Sequence, residues 1–126
     1  MHNTPTTLVF GASLKPDRYS NLVVNRLLDH NVKTEAFGLI EGNIRGVQIK
    51  NNLDEFHNIH TVTLYLNPSH QPEYYHWILK LGPKRVIFNP GTENPEFYKL
   101  LKDNGIDVEI ACTLVLLATN QYHSKV

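Results

Sequence analysis

The chain has 126 residues, enough to bury a sizeable core, and its apolar fraction of 41% is that of an ordinary globular protein. Twelve basic and twelve acidic side chains balance to a net charge of zero, which excludes the broad cationic footprint of a nucleic-acid binder but leaves room for one small basic pocket. A single cysteine, Cys112, excludes an intramolecular disulfide and a cysteine-only zinc site. Residues 1–7 are polar and lack the apolar core of a signal peptide, and the longest apolar run, residues 114–118, is too short to cross a bilayer. These features predict one soluble cytoplasmic domain over residues 1–126.

Strand and helix signals alternate along the chain. Leu8, Val9 and Phe10 form a short apolar run that stops at Gly11, as a buried strand does. Val23, Val24, Leu27 and Leu28 recur at helical spacing and predict a helix over about residues 20–30. Residues 32–37 read as a second strand. Gly42 and Gly46 mark a loop, with a short edge strand at 47–49 and one helical turn near 53–56. Val62, Leu64 and Leu66 alternate with Thr61, Thr63 and Tyr65, a period-two strand. Tyr74, Trp77, Ile78 and Leu81 form one helical face, and residues 85–88 are the next strand. Asn94 is placed as an N-cap before Pro95, Phe97, Leu100 and Leu101 form the buried stripe that follows, and Gly105 stops that helix. Residues 107–111 are a last strand with Val108 and Ile110 on one face, followed at 113–118 by a closing segment that reads as a short helix, with a strand as the alternative.

This alternation predicts a doubly wound, mostly parallel α/β sheet of Rossmann type, with helices on both faces. The strand at Thr61 should return beside the first strand. That creates a switch point, where open α/β sheets bind ligands at the carboxyl ends of their strands.

The first strand ends in Gly11, Ala12 and Ser13, followed by Lys15, Pro16, Arg18, Tyr19 and Ser20 and then a helix. Turn amides and the positive helix end favour an anion there. The Ser13 and Ser20 hydroxyls and the Lys15 and Arg18 charges favour a phosphate or pyrophosphate. The turn has one glycine, so it is neither a dinucleotide fingerprint nor a Walker loop. Two later strands end in the same dipeptide, Asn67–Pro68 and Asn89–Pro90, the second followed by Gly91. Each asparagine offers a donor and an acceptor to the crevice. Phe37 ends the second strand, where dinucleotide enzymes place an acid. Phe37 or Ile40 can instead face an adenine ring, core packing being the ordinary role of Phe37. The seven histidines show no metal-binding spacing. Cys112 follows the last strand near the crevice, either as a reactive thiol or as a small buried residue.

The segment Val9, Phe10, Gly11, Ala12, Ser13 with Pro16, Arg18 and Tyr19 resembles the CoA-binding domain family of small Rossmann proteins, relatives of the CoA-binding domain of succinyl-CoA synthetase. Ile44, Arg45 and Gly46, then Asn89, Pro90 and Gly91 with Asn94, then Gly105, Ile106 and Cys112 extend the resemblance over about residues 7–122. It implies that Gly11, Ala12, Ser13 and Arg18 hold the phosphates of coenzyme A, and that Asn67, Pro68 and Gly91 line the path beside them. It implies no reaction. Family members often carry Val-Asn-Pro after the second strand, where this chain has Phe37, Gly38 and Leu39, so the adenine and ribose contacts stay open.

The reading is therefore a coenzyme A or acyl-CoA binding protein without catalysis of its own, with Lys15, Arg18 and Arg45 as a basic trio. An NAD(P) enzyme would need more turn glycines and an acid near Phe37. A receiver-like regulatory module would need an acidic cluster after the first strand and an aspartate at a central strand end. A pure interaction domain would leave the crevice empty. A protein partner or homo-oligomer stays open.

Overall fold

The computed structural model describes residues 5–123. The sheet is built from β1 (Thr6–Phe10), β2 (Lys33–Phe37), β3 (Gly42–Ile44), β4 (Val47–Lys50), β5 (Thr61–Leu64), β6 (Arg85–Phe88) and β7 (Asp107–Ile110). The helices are α1 (Tyr19–Asp29), α2 (Tyr75–Leu81), α3 (Pro95–Asp103) and α4 (Thr113–Ala118). Strand order is β3-β4-β2-β1-β5-β6-β7, parallel throughout except for β3. β1 pairs with β2 on one side and β5 on the other, so the chain leaves the centre in opposite directions and the expected switch point is present.

Side-chain alternation divides the core into two layers. Val9, Ala36, Ile49 and Ile87 face α1 and α4, packing on Val23, Val24, Leu27, Leu116 and Leu117. Leu8, Phe10, Phe37, Val62, Leu64, Val86 and Phe88 face α2 and α3, packing on Ile78, Phe97 and Leu101. On the first face Thr61, Thr63 and Arg85 are buried, and all their side-chain polar atoms but Arg85 Nη2 have hydrogen-bond partners among the described residues. Arg85 donates to Thr61 Oγ1, to Glu109 and to the Tyr122 carbonyl, and its guanidinium stacks on the Tyr122 ring. Tyr122 Oη bonds Thr7 Oγ1.

Three expectations change in the structure. Residues 42–44 are not loop but strand β3, in a hairpin whose two-residue turn, Arg45 and Gly46, has φ of 50° and 94°. Two positive φ values are the mark of the turn that matches strand twist. Residues 72–74 form a 3-10 turn, so the helix expected from Tyr74 begins at Tyr75. On edge strand β7, Ile110 is 59% exposed and does not share the buried layer that Val108 packs against.

Candidate functional site

The carboxyl ends of β1, β5 and β6 open into a cleft of two joined compartments. The first, about 320 Å³, is lined by Gly11, Ser13, Arg18, Ser20, Asn67, Gly91 and Thr92 together with Tyr19, Tyr65 and Pro90. The second, about 220 Å³, shares Tyr19, Tyr65 and Pro90 and is closed by Asn89, Cys112 and Leu114. One compartment is thus rimmed by donors and a cation, the other by rings, a thiol and aliphatic carbon. Among the described residues no histidine, aspartate or glutamate lines either.

The turn after β1 is held from within. The Gly11 and Ala12 amides both donate to the Phe37 carbonyl, at 2.9 and 2.8 Å. The expectation that these two amides face a ligand is therefore corrected: the carbonyl at the end of β2 projects past its strand and takes both. Gly11 has a different task. Its φ is +101°, and a Cβ there would meet Leu66 Cδ2 and the Tyr65 carbonyl carbon at 3.3 Å, so glycine lets the turn lie against the end of β5. Gly38 serves the same crossing from below, since a Cβ there would overlap the Ala12 carbonyl oxygen.

The open donors lie further along. Among the described residues the Ser13, Leu14, Tyr19 and Ser20 amides have no hydrogen-bond partner. Tyr19 and Ser20 open α1, where first-turn amides have no intrahelical acceptor. Asn21 Nδ2 donates to the Ser13 carbonyl at 2.9 Å and fastens the turn to the helix. The Arg18 guanidinium has no partner among the described residues, unlike Arg26, Arg45 and Arg85, which pair with carboxylates. Arg45 binds Asp29 and the Asn25 carbonyl on the far half of α1, and the Arg45 guanidinium holds the Asp29 carboxyl below its ordinary range. The basic trio is thereby reduced. Lys15 is exposed outside the lining, so only Arg18 of the three faces the cleft.

The two asparagines of the repeated dipeptide part company. Asn67 is exposed on the cleft, its Oδ1 taken by the Ser69 amide and hydroxyl. Asn89 is 1% exposed and fully committed: Nδ2 donates to Thr63 Oγ1 at 2.8 Å and the Leu64 carbonyl at 2.9 Å, and Oδ1 accepts from the Thr113 amide at 2.9 Å. Its expected role as a ligand contact becomes that of a brace joining β5, β6 and α4. Pro68 is not in the lining. Phe37 is 3% exposed among Phe10, Phe56 and Tyr74 on the α2 face, so it cannot stack on a base.

Tyr65, Thr92 and Leu114 are the lining residues that the sequence did not assign to the cleft. Tyr65 follows the last residue of β5, and burial pushes its phenol well above its ordinary value despite the nearby Thr63 and Thr113 hydroxyls. Among the described residues no group of three or more His, Cys, Asp or Glu is placed to hold a metal ion.

A mostly parallel sheet with a cleft at its switch point makes this a Rossmann-type α/β protein. It belongs to the CoA-binding domain family, whose profile matches residues 5–118. A solved structure of an uncharacterized protein is 42% identical, with a TM-score of 0.90, covering 95% of this chain and 99% of that one. A hypothetical protein from Pyrococcus horikoshii OT3 is 30% identical, with a TM-score of 0.78, covering 89% and 80%. A Thermus thermophilus protein, cell-free ID.343, shares the fold at 23% identity and a TM-score of 0.83, covering 94% and 90%. No curated protein matches the chain.

Proposed function

We propose that the cleft binds coenzyme A or an acyl-CoA, as a binding protein that catalyses no reaction of its own. The carrying observation is the polarity of the cleft: an unpaired guanidinium and open amides at one end, rings and a thiol at the other. Arg18 and the Ser13, Tyr19 and Ser20 donors suit the phosphates. The shared wall of Tyr19, Tyr65 and Pro90 suits the thiol-bearing arm, which would run towards Cys112. Among the described residues the lining holds no histidine or carboxylate, the commonest general acids and bases, and its neutral titratable groups are the Tyr19 and Tyr65 phenols and the Cys112 thiol. Family membership supports the ligand class. Among the described residues no helix is long and apolar enough to cross a membrane, and the single thiol fits a reduced, cytoplasmic setting.

A ligand that binds only the folded state stabilises it by mass action, by about 2.7 kcal/mol at a hundredfold excess over Kd. Saturating coenzyme A should therefore raise the melting temperature, and NAD and FMN should raise it less. Equal or larger shifts with NAD would transfer the cleft to a dinucleotide, and no shift with any of the three would leave it as an interaction surface.

A further inference from the structure

Two turns form the lip of the cleft that faces α1: the one after β5, carrying Leu66 and Asn67, and the one after β6, carrying Pro90, Gly91 and Thr92. Asn89 ties the strand ends beneath them. Above that level, among the described residues, the backbone amides and short side chains of each turn bond locally. Thr92 bonds back to the Asn89 carbonyl through its amide and hydroxyl, the Gly91 amide donates to Glu93, and Asn67 bonds Ser69.

One side chain crosses between the turns. Gln71 is 1% exposed, and its Nε2 donates to the Leu66 carbonyl at 2.9 Å and the Thr92 carbonyl at 2.8 Å. Both amide protons are thereby used. Its Oε1 accepts from Asn94 Nδ2 at 2.8 Å, and Asn94 in turn caps α3 through the Phe97 amide and donates to Tyr75 Oη. A long polar side chain folded inwards, with every contact made to backbone or to a helix cap, sets a distance between two loops. An apolar side chain of the same volume fills that space without setting it.

We propose that Gln71 is the positioning residue of the ligand cleft: its amide clamps the two turns into one lip and so fixes the width of the polar compartment. Asn67, Gly91 and Thr92 then meet a ligand as a preformed surface rather than as two independently moving loops. The affinity part rests on the coenzyme A reading above; the coupling of the two turns does not.

The test compares the whole protein with Gln71→Met, which keeps the shape and removes the amide, and with Leu101→Ala, which destabilises the core under α3 without entering the cleft. Coenzyme A affinity is measured by calorimetry, and amide hydrogen exchange is followed by mass spectrometry. Gln71→Met should raise Kd about tenfold, the equivalent of one or two net hydrogen bonds. Exchange in residues 66–71 and 89–94 should rise together, with β1 and α1 unchanged. Leu101→Ala should lower the melting temperature and leave Kd in place. A Gln71→Met protein that binds as tightly as the wild type, or that loosens only one of the two turns, overturns the clamp. If the wild type itself does not bind coenzyme A, the ligand reading falls, and the exchange pattern alone decides the clamp.

Discussion

Replacing Asn89 with alanine isolates the brace that holds the cleft floor. The side chain makes three buried hydrogen bonds, to Thr63 Oγ1, the Leu64 carbonyl and the Thr113 amide. Thr63 Oγ1 keeps a second partner in Thr113 Oγ1, so its loss is small. The Thr113 amide loses its acceptor at the start of α4, and the Leu64 carbonyl loses a donor. Leaving a buried polar group unsatisfied costs about 1–3 kcal/mol. Two such groups plus a small cavity put the expected loss at about 3 kcal/mol, or roughly 12 °C in melting temperature for a domain of this size. Urea unfolding with an unchanged m-value is the assay. A loss under about 1 kcal/mol would refute the reasoning, because Asn89 would then be free to serve a ligand as its sequence position first suggests.

Other expectations follow from the same geometry. Arg18→Ala should weaken coenzyme A about tenfold with little change in stability, and the difference should shrink in high salt, as for any charge-assisted contact at an exposed site; calorimetry at two ionic strengths reads both. Phe37→Leu should cost about 1–2 kcal/mol in urea unfolding and leave ligand affinity alone, since the ring lies wholly in the core; a clear loss of affinity would restore a role in base stacking. Gly38→Ala should destabilise by about 3 kcal/mol or abolish soluble expression, because the new methyl meets the Ala12 carbonyl, a backbone atom that cannot swing aside. Burial raises the Tyr65 phenol above its ordinary value of 10.0. The folded state therefore holds that proton more tightly than the unfolded chain, so the contribution is complete below pH about 10 and lost as pH rises beyond it. Tyr65→Phe should flatten part of the fall in urea stability between pH about 9 and about 11, with Tyr122, also raised by burial, keeping the rest.

Much of the architecture was legible because it is written in short-range patterns. The apolar runs at 8–10 and 85–88, the alternation from Thr61, and the Asn94, Pro95, Gly105 punctuation each name an element by local physics, and the parallel order follows from their alternation. The β3–β4 hairpin was half hidden, since a three-residue strand with one buried side chain carries little periodic signal and its turn depends on Arg45 accepting a positive φ.

The site was legible as a place more than as a set of atoms. A glycine turn before a helix locates the crevice, and the lining does include Gly11, Ser13, Arg18, Tyr19, Ser20, Asn67, Pro90 and Gly91. What a local pattern cannot show is which groups are already spoken for. The Phe37 carbonyl comes from a neighbouring strand and consumes the two amides nearest the turn. Asn67 and Asn89 sit in the same dipeptide, yet Thr63, Leu64 and Thr113 converge on one of them alone. Gln71 gives no sequence signal, because Thr92 and Asn94, the partners that make it a bridge, lie beyond a different strand, β6.

Amide chemical shifts followed by NMR during titration with coenzyme A test the central claim most directly. Ser13, Leu14, Tyr19 and Ser20 should move strongly, and the internally bonded Gly11 and Ala12 amides much less. Movement confined to the separate hollow beside Asp54, Trp77 and Lys80, or none at all, would contradict the account.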